Sequence, residues 1–556
     1  MRNGKMRVAM ALAVSCAIGL GVTLSVGSLS AAPAPTTLNP AQTRVEDAYA
    51  AMGWANRGFG EGAQARETLL IMTTKGSMKQ WDPGQSQSVS NLAVPDWGTA
   101  TFTQVWDRSR AATRTEWVRP RAGGGTRNYT EILSEQGGYV IGSDVNGAQP
   151  SRVVQTTGNN PQPLKTMSGL RARALLREVE RNGIVFFMHD RLQRVSDYPA
   201  QTVGGRTYPA VQFRGDNGTF VVMFDSQTKL PAIVRTRDFD QFEGDSNFDA
   251  TYADWRDVNG VKFPHRITYT LNGQNILDTT INSITFNTQI AADSFNVPAA
   301  VRGKAPPPAA LNKTPYQWII RRLAHGFYLD SDAQYADDGK SLQLVDIAPN
   351  ISHVTGGSHN TLIVATNDYL VAFDAPGDDG LSQWVINAAK QKYPGKSFRY
   401  VVLTHHHIDH SGGVRAYAAD GATIVVGRGN GAFYRRVLAA PAGTNPYRLA
   451  TFTPRVVEVG DKWSVNDGGR VIEAYALETP HATGYLIPFV PDARLAWVTD
   501  LWNPGAMIPA MPNPAMVSIV RGVERAGFQP ERFAGGHGSV APYADLAQAV
   551  QRAGGG

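Results

Sequence analysis

The chain has 556 residues, a length that at ~150 residues per domain allows three or four domains and a large buried core. Hydrophobic residues make up 42% and charged residues 18%, which excludes wholesale disorder, a coiled coil and a polytopic membrane protein. A formal charge of +6 is mild at this length and argues against a dedicated nucleic-acid binder.

At the N-terminus, Arg2, Lys5 and Arg7 precede an apolar stretch from Val8 to Leu29, and small residues Ser30-Ala31-Ala32-Pro33 follow. This order is that of a secretory signal, residues 1–32, and predicts a periplasmic or secreted protein. Cleavage near Ala32 takes 53 basic residues to 50 against 47 acidic ones, and removes Cys16, the single cysteine. The mature chain then has no thiol for a nucleophile or a metal ligand. The competing reading is a retained anchor, since Val8 to Leu29 is long enough to span a bilayer; membrane association is expected only in that case.

Residues 33–64 read as a Pro/Ala/Thr spacer with a short helix at Gln42 to Met52. From 65 to 300 the pattern is β, with short apolar runs between Gly, Asn, Asp and Pro: Thr68 to Met72, Gly138 to Ile141, Thr219 to Phe224 and Ala232 to Val234. The clearest hairpin is Arg266 to Leu271, the turn Asn272-Gly273, then Gln274 to Asn287. One helix, Ser168 to Glu180, interrupts the strands, so the region reads as a large antiparallel sheet with little helix. Residues 301–340 carry the linker Gly303-Lys304-Ala305-Pro306-Pro307-Pro308 and a helix around Tyr316 to Leu323. From 341 to 556 strands alternate with helices: Thr361 to Val364, Tyr369 to Phe373, a helix Ser382 to Lys392, Tyr400 to Leu403, a helix Gly413 to Ala419, and Thr423 to Val426. That succession predicts α/β layering, and the length prior of three or four falls to two domains.

Histidine distribution points to the chemistry. Of 11 histidines only His189, His265 and His325 precede residue 340, and four of the rest lie in His405-His406-His407-Ile408-Asp409-His410. This H-x-H-x-D-H run follows a buried-looking strand and precedes a helix, where open α/β folds expose functional groups. Imidazoles at this density beside a carboxylate match the ligand preference of zinc and similar divalent metals. Further donors follow in order at strand ends or glycine-bordered turns: His481 in Thr479-Pro480-His481, Asp500 after Trp497-Val498-Thr499, and His537 between Gly536 and Gly538. Seven donors make two sites.

With that set, residues 341–556 resemble the metallo-β-lactamase-fold superfamily of metallohydrolases. The resemblance implies an αββα sandwich and two divalent metal ions, zinc foremost. His405, His407 and His481 would bind the first, Asp409, His410 and His537 the second, with Asp500 bridging and Leu370 to Asp374 as the early strand that ends in an aspartate. Two ions ~3.5 to 4 Å apart share a water and lower its pKa toward 7, giving a hydroxide nucleophile that Asp409 would orient. His406 points away from the H-x-H alternation and reads as a supporting or surface residue. His359, in Gly356-Gly357-Ser358-His359-Asn360, either reaches the site or is an ordinary polar turn residue.

Within that superfamily β-lactam hydrolases generally carry cysteine or serine where this chain has Asp500, whereas lactonases, thioesterases, phosphodiesterases and sulfatases carry the aspartate. The expected function is an exported zinc-dependent hydrolase that cleaves an ester, lactone or thioester of a small, apolar or acylated substrate, with no nucleic-acid partner. The alternatives are a β-lactam hydrolase, a mononuclear iron enzyme resembling sulfur dioxygenases, and a lipid-binding periplasmic protein with an auxiliary metal domain. The last draws on Tyr252 to Pro264, the Asn-Gly hairpin and Phe295-Asn296-Val297-Pro298, which resemble periplasmic lipid carriers of the lipoprotein-sorting kind. That likeness implies a curved sheet wrapped round a helix over an apolar concavity. Residues 65–300 carry no catalytic motif and read as accessory. Gly427-Arg428-Gly429-Asn430-Gly431 has the wrong spacing for a dinucleotide loop and reads as a turn with no helix after it. Asn430 to Tyr447 is placed to cover the site. Trp502 to Pro512 reads either as an apolar substrate wall or as simple packing.

Overall fold

The computed structural model describes residues 37–54, 69, 71–81, 83–90, 98–108, 112–120, 126–134, 137–142, 153–155, 163–166, 169–299, 339–356 and 359–554. The signal segment with Cys16, the Pro-rich linker and the helix expected at Tyr316 to Leu323 lie outside these residues. Among them, no helix is long and apolar enough to cross a membrane.

The β region forms one 14-stranded sheet that runs from Ile71 to Phe286. Every pairing in it is antiparallel, and the strand Ile71–Gln80 sits between Thr99–Asp107 and Gln274–Phe286. The hairpin is where the sequence puts it. Leu271 pairs with Gln274, and Asn272 and Gly273 take φ of 48° and 85°, the two left-handed residues that a two-residue turn requires.

Two helices pack on this sheet, Gly169–Asn182 and Ile184–His189; the second has no counterpart in the sequence reading. Polar anchors fix the first at both ends. Arg171 pairs with Glu131, while the buried Arg181 donates to the Val234 carbonyl at 2.9 Å, the Phe248 carbonyl at 3.2 Å and Thr236 Oγ1 at 2.8 Å. The strands that carry Glu131 and Val234 are seven steps apart in the sheet, about 33 Å if it were flat. Arg171 and Arg181 are only about 15 Å apart along the helix. The sheet therefore curls round the helix, leaving an apolar concavity lined by residues that include Trp54, Met72, Trp106, Phe186, Ile267 and Ile284. The helix Pro40–Ala51 closes the assembly, its end tied by Lys262 N–H to the Met52 carbonyl at 2.8 Å.

Two further sheets follow in the C-terminal part. The first has seven strands from Gln343 to Val459, antiparallel until Leu370–Phe373 and parallel from there through Phe398–Val402, Thr423–Gly427 and Val456–Val459. The second has six strands from Lys462 to Pro542, with one parallel pair, Leu495–Val498 beside Arg532–Gly535. Leu362, Val371, Phe373 and Val402 of the first meet Ile472, Leu486, Leu495 and Trp497 of the second in one buried cluster. Both faces of these strands are apolar, and the near-continuous hydrophobic runs read from the sequence reflect that burial. The helix Asp379–Lys392 starts three residues before the expected Ser382 because Asp378 caps it, its side chain accepting from Leu381 N–H at 2.9 Å.

Asp378 also gives a pH signature. Burial, reinforced by the neighbouring Asp379, pushes its carboxyl up to about 7, and Oδ2 has no hydrogen-bond partner among the described residues. Between about pH 4 and 7 the unfolded chain has released this proton while the fold keeps it, so stability falls as pH rises through that window. Asp378→Asn retains the capping oxygen and removes the ionisation. We expect it to stabilise the protein by about 1–3 kcal/mol at pH 8 and to leave stability unchanged near pH 3.5, as measured by denaturant unfolding at both values.

Pro40 to Gly556 form one compact unit, and the reason is a clasp between the large sheet and the C-terminal part. Asp245 accepts from Gly443 N–H at 2.9 Å and Thr444 N–H at 2.7 Å, and its own N–H donates to the Pro441 carbonyl at 2.7 Å. Arg436 pairs with Glu243 at 2.9 Å, and Phe242 meets Phe433 edge to face. The segment Asn430 to Tyr447, expected to cover the functional site, makes this clasp, and its Phe433 also meets His406. It also holds a helix, Gly431–Ala439, that the glycine-rich reading excluded. No anion cradle results, because the Glu458 carboxylate accepts from Gly429 and Gly431 N–H, both at 2.9 Å.

Candidate metal centre

The run His405 to His410 leaves the C-terminal end of strand Phe398–Val402 and enters a short helix, Ile408–Ser411. Its backbone is gripped from the loop after Leu370–Phe373: Ala375 N–H donates to the His410 carbonyl at 2.8 Å, and Gly377 N–H to that of Asp409 at 2.9 Å. The close approach explains Gly412 and Gly413. A Cβ on Gly412 would lie 2.1 Å from the Gly377 carbonyl oxygen, and one on Gly413 2.0 Å from Ser382 Oγ. Gly412→Ala must push two backbone segments apart, and about 2 kcal/mol of lost stability is expected by thermal or denaturant unfolding.

Under the loop sits Asp374, fully buried at φ 63°, where it accepts from Thr404 N–H at 2.7 Å, Thr404 Oγ1 at 2.9 Å and Trp497 Nε1 at 2.8 Å. Thr404 Oγ1 is in turn 3.1 Å from His405 Nδ1. The opposite edge is set by Thr499, whose Oγ1 lies 3.1 Å from His410 Nδ1, and by Tyr485, which stacks on His405 with centroids 5.4 Å apart. These contacts hold the two rings in place at the edge of the centre.

The inward atoms form two groups. The ligand atoms of His405, His407, His481 and Asp500 lie within 4.8 Å of one another, and so do those of His359, His410 and His537. Asp500 stands between the two. Its Oδ2 is 3.3 Å from His405 Nε2, 3.1 Å from His481 Nε2, 3.9 Å from His407 Nδ1 and 3.1 Å from His410 Nε2, while Oδ1 is 2.9 Å from His537 Nε2. Six of the seven expected donors thus fall into these groups. The seventh, Asp409, stands beside the second group rather than in it. Gln85 Nε2 donates to its Oδ1, and its Oδ2 is 3.2 Å from His359 Nε2 and 4.0 Å from His410 Nε2. His359, left open by the sequence, stands in the second group.

Charge and burial favour a cation here. Burial holds His405 well below its ordinary pKa, lowers His407 and takes His359 down to about 3, so these rings present lone pairs rather than protons at neutral pH. Burial alone would also lower His410, but the Asp500 and Asp409 carboxylates outweigh it and raise the ring to about 9. Burial opposes ionisation of Asp500, yet the His410 charge and the close approach of the His405, His407 and His410 rings hold it well below the usual carboxylate range. His405 Nε2 and His481 Nε2 approach to 3.2 Å while facing one carboxylate oxygen. His407 Nδ1 is buried with no hydrogen-bond partner among the described residues. The lowered imidazoles of His405 and His407 beside an ionised carboxylate, with the His407 lone pair aimed inward, fit a divalent metal.

His406 is not a surface residue: it is fully buried, with Nε2 3.4 Å from Ser86 Oγ. Gln85 and Ser86 come from the region read as accessory, and nothing in Pro83-Gly84-Gln85-Ser86 distinguishes it from an ordinary turn. In the loop after Asp500, Leu501 and Trp502 are buried, whereas Met507 is 93% and Met511 73% exposed.

Residues 354–537 match the family model of the metallo-β-lactamase superfamily. No curated protein matches the chain. Among solved structures, it is similar to the stereoselective inverting sec-alkylsulfatase Pisa1 from Pseudomonas sp., at 18% identity over 38% of this chain and 41% of that one, with a TM-score of 0.29. The metallo-β-lactamase from Pontibacter korlensis is 17% identical over 38% of this chain and 99% of its own, with a TM-score of 0.31. That from Hirschia baltica is 16% identical over 38% and 98%, with a TM-score of 0.30. The chain spans about two-fifths of the length of the alkylsulfatase it matches. Both donor groups, from His359 to His537, lie inside the span, residues 354–537, that matches the metallo-β-lactamase superfamily model.

Proposed function

We propose that the protein is an exported, metal-dependent hydrolase that cleaves a carboxylic ester, lactone or thioester with an apolar acyl part. The observation that carries this reading is the convergence of five histidines on Asp500, with His359 grouped beside two of them. His405, His407, His481 and Asp500 would hold one divalent ion, and His359, His410 and His537, with Asp500 between, a second. Zinc suits this all-nitrogen and oxygen donor set. When bound, such a pair supplies Lewis acidity and lowers the pKa of a water between them.

The protein's own part is orientation and proton handling. Asp409, fixed by Gln85 and His359, is the carboxylate placed to orient the attacking water and accept its proton. Thr404 and Thr499 keep His405 and His410 turned inward. His481 and His537 are the more exposed imidazoles and mark the side from which substrate enters. Met507 and Met511, exposed on the loop that follows Asp500, favour an apolar substrate at that mouth. The four-layered αββα arrangement is supported by the apolar cluster between the two C-terminal sheets and by a second cluster in which Ile519, Val520, Leu546 and Val550 pack on Phe489 and Phe533. Export rests on the first 32 residues.

The test is metal analysis followed by a substrate panel. About two zinc equivalents per chain are expected, with hydrolysis of esters, lactones or thioesters that chelation abolishes and zinc restores. The panel includes β-lactams, sulfate esters and phosphodiesters; turnover of one of these alone would replace the proposed bond type. Iron with oxygen consumption would replace hydrolysis by redox chemistry. A second reading, in which the large sheet binds a lipid-like ligand, is favoured by its apolar concavity. It predicts saturable binding of a fluorescent fatty acid that persists after the metals are stripped.

A further inference from the structure

The strand Ile71–Gln80 lies in the middle of the large sheet, and Trp81 N–H still bonds the Ile276 carbonyl of that sheet at 2.8 Å. The chain then makes a single turn, Pro83–Gln85, and reaches the metal centre. Gln85 Nε2 donates to Asp409 Oδ1. His407 Nε2 donates to the Ser86 carbonyl at 2.9 Å. Thr483 N–H donates to the Gln87 carbonyl at 2.8 Å, and Gln87 Nε2 to the Pro480 carbonyl at 3.2 Å. Three consecutive residues of the sheet region thus touch both loops that carry the first donor group, the one with His405 and His407 and the one with His481.

The chemistry of these contacts is specific. An imidazole binds a metal through one nitrogen only when its proton sits on the other, and the partner of that N–H fixes the tautomer. For His407 the partner is the Ser86 carbonyl, which holds the proton at Nε2 and leaves Nδ1 bare, facing Asp500 Oδ2 at 3.9 Å. A carboxamide on Asp409 supplies one neutral donor, so it orients the carboxylate without neutralising it as a lysine or arginine would.

We propose that residues Pro83–Gln87 are a built part of the metal centre: Gln85 is a positioning residue for Asp409, and the Ser86 carbonyl sets the metal-binding tautomer of His407. This rests on the metal reading above. The large sheet therefore contributes directly to the affinity of the His405, His407 and His481 group, and to turnover.

The experiment uses the full chain in two variants, Gln85→Leu and a replacement of Pro83–Gln87 by Gly-Ser-Gly-Ser-Gly. Zinc affinity is read by competition with a chromophoric chelator, ligand geometry by the visible spectrum of the cobalt form, and folding by circular dichroism. Gln85→Leu is expected to lower kcat about 10–100-fold with KM little changed, and to alter the cobalt spectrum. The segment replacement is expected to weaken at least one zinc equivalent by about 10–100-fold in a folded protein. Wild-type zinc affinity and an unchanged cobalt spectrum in both variants would overturn the proposal alone. A wild-type protein that takes up no metal would overturn the parent reading and this one with it.

Discussion

Asp500→Ala is expected to cost the protein both metals together and to lower hydrolysis by at least about 10²–10³-fold, a loss that added zinc does not recover. Asp500 faces both donor groups: one oxygen meets His405, His407, His481 and His410, and the other meets His537. Metal content by elemental analysis is the direct check, and a variant that retains two equivalents would remove Asp500 from the bridging role. The metal-stripped protein gives a second check through pH. Asp500 has its folded pKa depressed, so its contribution is present above about pH 4 and is lost as pH falls through the folded value. His410 is raised to about 9, so its contribution is full below about pH 6.5 and is lost as pH rises through 9. Stability of the stripped wild type should therefore decline between about pH 6.5 and 9, and Asp500→Asn should flatten that limb. An unchanged limb would mean that the two groups are not paired.

Asp374→Ala is expected to destabilise the fold by about 3–5 kcal/mol, measured by denaturant unfolding. The carboxylate is fully enclosed and is the acceptor for Thr404 N–H, Thr404 Oγ1 and Trp497 Nε1, so its removal orphans three donors where water does not reach. Burial pushes the acid up to about 6, so near-neutral water already holds it close to protonation. Asp374→Asn keeps one acceptor oxygen and tolerates the left-handed backbone at φ 63°. It should lose less than half as much as alanine. Equal losses would show that the side chain fills space rather than accepts hydrogen bonds.

What the sequence reveals here follows the range of the interaction concerned. The Asn272-Gly273 turn is legible because two adjacent residues with positive φ define it. The run His405 to His410 is legible because its residue types have no packing use. His359 was visible as a candidate, but no local pattern says that its ring meets His537 with centroids 4.5 Å apart. Asp409 sits in a motif that predicts a ligand, but nothing local says that Gln85, 324 residues away, donates to one of its oxygens. The clasp made by Asn430 to Tyr447 is illegible for the same reason: its partner Asp245 lies 198 residues from Gly443. The glycine-rich loop misled in the other direction. Weak spacing hid a real helix, and only the paired strand carrying Glu458 shows why that helix binds no anion.

The clasp at Asp245 and the turn at Gln85 bear on how such a chain can be re-engineered. The C-terminal part takes contacts from outside itself that excision would break. A chimera that keeps residues 339–554 and changes the rest would forfeit the carbonyl on which His407 leans, the carboxamide on Asp409 and the aspartate that caps Gly443 and Thr444. Substitutions near Pro83 would then surface as altered metal chemistry, and those near Gly244 as a loosened clasp.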